Sequence, residues 1–216
     1  MAVKQFNLAK GQRAERKSLI TVAEWFEYTV LATEPADWSD DYGDYYEKID
    51  GQYVKVSGAS APTFEANKYY SQAAEREILG TRTPNSAVEY NPDIETSTDI
   101  RGINYTDVNK TQPQQSFDPH LVLGGAKLGA KLNDIRRRNA VSELSQFNFY
   151  IITAFVGDAT NGYEAEMHTG CTCSYTSIGG DTNVNFPINI YFSNVITTGT
   201  VDKLSDDFTF TPDVTV

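Results

Sequence analysis

The chain has 216 residues and carries 18 Lys and Arg against 29 Asp and Glu, a formal net charge of −11. That length suits one large domain with a sizeable core, the acidity disfavours non-specific attraction to nucleic acid, and no apolar run approaches the roughly 20 residues that a membrane-crossing helix needs. Thirteen Tyr and eleven Phe against two Met favour sheet over a helical bundle.

The N-terminal stretch M-A-V-K-Q-F-N-L-A-K lacks the apolar centre of a signal peptide, so synthesis and retention in a cytoplasm are expected. Residues 1–17 form a basic arm in which Lys4, Lys10, Arg13, Arg16 and Lys17 stand against Glu15 alone. Residues 19–31 are apolar on both faces and rich in Thr, Val and aromatic residues, which predicts a buried strand. Residues 37–50 are acidic, with Asp37, Asp40, Asp41, Asp44, Glu47 and Asp50 against Lys48. Runs of like charge are ordinarily solvated segments. The sharper reading sets the basic arm of one copy on the acidic loop of another, and makes Lys4, Lys10, Arg13, Arg16, Lys17, Asp40, Asp41 and Asp44 candidate inter-subunit contacts. A short strand is predicted over 53–56. Residues 58–85 mix small residues, polar groups and two prolines, and read as a long loop of the kind that tends to be functional.

From Asp93 the sequence D-I-E-T-S-T-D-I-R alternates strictly. Ile94, Thr96, Thr98 and Ile100 share one face of a strand, and Asp93, Glu95, Ser97, Asp99 and Arg101 share the other. The half-apolar face suits cover by another β element, and the charged face suits water or a polar partner. Asp118-Pro119 reads as N-cap and first residue of a helix running to Arg138, with Leu121, Leu128, Leu132 and Ile135 as an apolar stripe to pack on a sheet and Gly125 in the gap. Arg136, Arg137 and Arg138 then fall in the last turn, where the carbonyl end of the helix favours cations. Strands over 147–156 and 163–178 are joined by a turn containing Asn161-Gly162, and Glu164 and Glu166 share a face of the second. Val184, Phe186, Ile188, Ile190 and Phe192 continue the alternation, Pro187 marks an edge or bulge, and Phe208 with Phe210 marks a final short strand. The expected fold is mainly β: a β-sandwich or barrel with one flanking helix, built as a single domain over 1–216.

Catalytic signatures are missing. His168, Cys171 and Cys173 supply three potential zinc ligands, of opposite parity on a strand, so two small thiols on a core face are the better reading. The glycine-rich L-G-G-A-K-L-G-A-K puts Ala130 where a phosphate loop requires lysine. His120 and His168 are the only histidines available to a Ser-His-Asp arrangement, and each reads as a surface or capping residue. No enzyme activity and no cofactor are expected.

Four features together resemble the major tail tube proteins of long-tailed, siphovirus-type bacteriophages. They are E-T-S-T-D-I-R-G-I-N-Y-T, the D-P-H-L-V-L-G-G and N-D-I-R-R-R-N-A segments, the long strands of the last third, and the ending G-T-V-D-K-L-S-D-D-F-T-F-T-P. The similarity covers roughly residues 78–214 of the chain. It implies a structural virion protein that forms stacked hexameric rings, a tube through which genomic DNA passes. Implied partners are further copies of itself, a tape measure protein, a tail terminator and baseplate proteins, with assembly in the host cytoplasm and no membrane insertion. In that setting Asp93, Glu95, Asp99, Glu164 and Glu166 are candidate lumen-facing carboxylates that would let DNA slide, and the basic arm and the 58–85 loop would reach the neighbouring ring. Other readings are a different tail component, a contractile or secretion tube protein, or a β-sandwich module that binds carbohydrate. Exposed tryptophans would favour the last, whereas Trp25 and Trp38 fall in segments read as core and loop.

Overall fold

In a computed structural model of the chain, residues 6–80, 83 and 86–213 are described. The protein is mainly β, 45% strand and 13% helical, sandwich-like without closing into a barrel. It divides into two compact units: residues 25–75, and residues 1–24 together with 76–216.

The smaller unit holds the end of β1 (Leu19–Val30), the one-turn α1 (Trp38–Asp41), β2 (Tyr46–Ile49), β3 (Gln52–Lys55) and most of β4 (Tyr69–Ile78), in the sheet order β3-β2-β4-β1. Asp50 and Gly51 both take positive φ, 50° and 84°, which suits the tight turn between β2 and β3. Trp38, Val56 and Tyr69 are buried, with Leu31, Tyr42, Tyr45 and Phe64 packed on them. The Trp38 indole N–H donates to the Pro62 carbonyl at 2.9 Å and the Tyr42 hydroxyl donates to the Gly58 carbonyl at 2.8 Å, pinning the chain before β4. The expected 58–85 loop is therefore corrected: ten of its residues are strand β4. Y-Y-S-Q-A-A-E-R-E-I pairs with its neighbours while burying only Tyr69 fully, so it lacks the apolar contrast that would mark a strand.

The larger unit contains two sheets that share one strand. The first runs β1-β9-β10-β12-β13, with β9 Phe147–Asp158, β10 Gly162–Tyr175, β12 Ile196–Val201 and β13 Phe210–Pro212; the second runs β10-β11-β8-β5, with β11 Ile188–Tyr191, β8 Gln114–Phe117 and β5 Val88–Glu89. β10 serves both because its register against β9 slips between His168 and Cys171. Three β10 residues there oppose two of β9, and Gly170 takes φ +71°. One extra residue exchanges the faces. Before the bulge, Ala165 packs with Val22, Tyr150, Ile152, Val201 and Phe208. After it, Cys171 and Cys173 turn to the side that carries His168, which corrects the parity argument made from sequence.

The helix is shorter than predicted. α2 spans Lys127–Arg138; Asp118-Pro119 follows the end of β8, and Leu121 forms a β-bridge with Asn185. Gly125 at φ +86° ends any helical path from Pro119, so Asp118 is not the N-cap and Leu121 is not in the stripe. Instead the Glu77 carboxylate accepts the Leu128 N–H at 2.7 Å, satisfying a helix-start donor from another element. Leu128, Leu132 and Ile135 are buried as expected, and Asn139 closes the helix in the left-handed region.

Candidate assembly surface

Between β5 and β8 the chain leaves the sandwich as a two-stranded ribbon, β6 (Asp93–Thr98) and β7 (Asn104–Lys110), which pair only with each other. Ile94 opposes Val108, Thr96 opposes Thr106 and Thr98 opposes Asn104 on one face; Glu95 opposes Asp107 and Ser97 opposes Tyr105 on the other. The alternation read from sequence is present, and its cover is not. Every residue of β6 is exposed, with Ile94 at 57% and Val108 at 61%. An isolated two-stranded hairpin is marginal in water, and here the side chains that would bury themselves against a third element have none within the described residues.

The ribbon's tip is ordered by one carboxylate. Asp99 Oδ1 accepts the backbone N–H of Arg101 at 2.8 Å and of Ile103 at 2.9 Å, while Oδ2 accepts Arg101 Nε–H at 3.3 Å and the Tyr105 hydroxyl at 3.4 Å. These donors, the Ile103 amide first, hold the Asp99 carboxyl below the usual carboxylate range. Gly102, at φ +79°, donates its N–H to the Asp99 carbonyl at 2.9 Å. Asp99 thus locks the turn through these hydrogen bonds.

The five candidate lumen carboxylates lie on two elements, the ribbon and β10. Asp93 and Glu95 lie on the exposed ribbon. Glu164 and Glu166 lie on the β10 face that carries His168; Glu166 opposes Ile151, which opposes Thr21, and Glu164 opposes Thr153. Thr21 donates its hydroxyl to Gln115 of β8 at 2.8 Å, so that face is turned towards the second sheet. Both glutamates are half-buried, and the Glu166 charge adds to burial in raising the Tyr90 hydroxyl. Asp107, Val108 and Ile100 complete the ribbon; the first two sit in Y-T-D-V-N-K, whose alternation was the available signal.

Phe6 and Asn7 of the basic arm are held on β9. Phe6 bridges Val156, the Asn7 N–H donates to the Phe155 carbonyl at 2.9 Å, and the Asn7 side-chain amide reaches the Ala154 and Gly157 carbonyls. Lys10 is exposed on the turn that follows and Arg13 just after it, Lys17 pairs with Glu15 at 2.8 Å, Arg16 opens a short 3-10 turn, and Lys4 lies outside the described residues. In the smaller unit Asp40, Asp41 and Asp44 are exposed, with Lys55 at 3.9 Å from Asp44. Among the described residues no group of three or more His, Cys, Asp or Glu side chains is placed to hold a metal ion, and no helix is long and apolar enough to cross a membrane.

No described protein family, curated protein or solved structure matches the chain.

Proposed function

We propose that the protein is a structural subunit that self-associates through its ribbon into stacked hexameric rings, forming a bacteriophage tail tube that conducts genomic DNA. The observation that carries this reading is a β-ribbon with an uncovered apolar face. Covering the exposed parts of Ile94 and Val108 stabilises by roughly 1–2 kcal/mol each, and a symmetric ring repeats that gain in every subunit. With the apolar face seated on a neighbour, Glu95 and Asp107 fall on the opposite face, where carboxylates repel DNA phosphates and favour sliding over sticking. The edges of β3, β5 and β13 offer further backbone donors and acceptors for pairing between copies. A tape measure protein, a tail terminator and baseplate proteins are the partners this reading implies, in a virion tail assembled in the host cytoplasm.

Negative-stain electron microscopy of the purified chain tests the proposal. Rings of six or tubes with an axial channel are expected; featureless monomers across concentration and salt would refute it.

A further inference from the structure

We propose that Asn161 is a spontaneous modification site, where ring closure onto the Gly162 nitrogen converts the asparagine to aspartate or isoaspartate, and that the Asp158 carboxylate holds this reaction back in the folded chain.

Asn161 is the one asparagine in the chain that a glycine follows. Glycine has no side chain to shield its backbone nitrogen, and Asn161 lies exposed in the turn between β9 and β10. In the closure the Gly162 nitrogen gives up its proton to solvent and attacks the side-chain carbonyl carbon of Asn161. A new C–N bond forms, the bond to the side-chain nitrogen breaks, and ammonia leaves. Water then opens the cyclic imide at either carbonyl, giving aspartate or isoaspartate at position 161.

The fold restrains the first step. Asp158 Oδ1 accepts the backbone N–H of Thr160 and of Asn161, each at 2.8 Å. The Asn161 side-chain nitrogen donates to both Asp158 oxygens, at 3.2 Å to Oδ1 and 3.1 Å to Oδ2. The amide is thus tethered back to Asp158, and it must leave an ionised acceptor before its carbonyl carbon can swing onto the next nitrogen in the chain. The Asn161 backbone N–H first, then the other donors, keep the Asp158 carboxyl below the usual carboxylate range, so the tether is charged at neutral pH. Either product sets a second carboxylate where the amide had donated to Asp158, and attraction becomes repulsion. Isoaspartate also adds a methylene to the main chain where β10 begins, and β10 is the strand that both sheets share. Gly162 is close-packed at that point: a Cβ on it would come 3.0 Å from Thr200 Cβ.

Peptide-mapping mass spectrometry of the full chain tests this, with aspartate and isoaspartate at position 161 separated by chromatography. Conversion in the chain unfolded by guanidinium chloride is expected to run about tenfold or more faster than in the folded chain. Asp158→Ala, checked for folding by its melting curve, is expected to lose most of that difference. Asp158→Asn keeps an oxygen for the Thr160 and Asn161 amides while removing the charge, and it should convert about fivefold faster than wild type; it decides the matter should the alanine variant unfold. No conversion at position 161 in the unfolded chain overturns the site itself. A folded wild-type chain that converts as fast as the unfolded one, or a folded Asp158→Asn chain within about twofold of wild type, overturns the restraint by Asp158.

Discussion

Replacing Arg76 with methionine should strand a buried charge. The Glu24 side chain is 5% exposed and Arg76 22%, and Arg76 Nε meets Glu24 Oε2 at 2.6 Å. Asn148 Nδ2 donates to the other Glu24 oxygen at 3.0 Å and the Tyr150 hydroxyl lies 3.2 Å from Oε2. Arg76 also donates to the Phe208 carbonyl at 2.7 Å and lies 4.4 Å over the Phe208 ring. Burial, with the Glu24 charge second, pushes the Tyr150 hydroxyl up to about 12, so Tyr150 stays a neutral neighbour of Glu24 and adds no second negative charge there. Removing one partner of a buried pair costs about 3–5 kcal/mol, and the partial exposure of Arg76 places this case near the lower end. For a chain of this size that is a fall of roughly 6–12 °C in melting temperature. Urea titrations followed by tryptophan fluorescence measure the loss, and the double variant Glu24→Gln with Arg76→Met should regain more than half of it, because no charge is then left buried. A single variant within about 1 kcal/mol of wild type, or a double variant no better than the single, would refute the reasoning.

Leu128 is wholly buried in α2, so Leu128→Asp should cost several kcal/mol by burying an unpaired charge; an unchanged melting temperature would show the stripe to be uncovered. Asp99→Ala should strip hydrogen-exchange protection from the Arg101 and Ile103 amides. In wild type, because the folded carboxyl is held below its ordinary value, that order is present above about pH 4 and is lost as pH falls through the folded value, after correction for intrinsic exchange. His120 is held below the ordinary histidine value, by burial first and against the Glu77 charge. The unfolded chain therefore takes a proton near pH 6.5 that the folded chain refuses, and stability present above that pH drains away as pH falls towards the folded value. His120→Gln should flatten that limb of a pH series of urea midpoints, and an unchanged slope would contradict the assignment.

Much of the larger unit was legible in the sequence, because its strands alternate between surfaces that are covered on at least one side. Phe147, Phe149 and Ile151 face one way from β9 and Tyr150 and Ile152 the other, and the Asn161-Gly162 turn returns the chain into β10. β4 was hidden because its half-buried positions carry Gln72, Glu75, Arg76 and Glu77 while Ala73 and Ala74 are exposed. Asp-Pro marks a strand end as readily as a helix start, and the α2 start takes its Leu128 N–H partner from Glu77, some fifty residues earlier. In the ribbon, period two said which residues share a face; whether that face is covered depends on what lies opposite, which no local pattern contains. The Asp99 turn is a further case: alternation places the residue on a face, and its hydrogen bonds to the Arg101 and Ile103 amides depend on the turn that follows.

Amide exchange across the ribbon, followed as a function of protein concentration, tests the central claim most directly. If copies cover the apolar face, peptides spanning residues 93–108 should exchange rapidly in dilute protein and become protected as rings form, with the Ile94 and Val108 amides slowing together. Exchange in those peptides that is equally fast at every concentration, while particles are seen to assemble, would mean that the ribbon is not the surface that joins them.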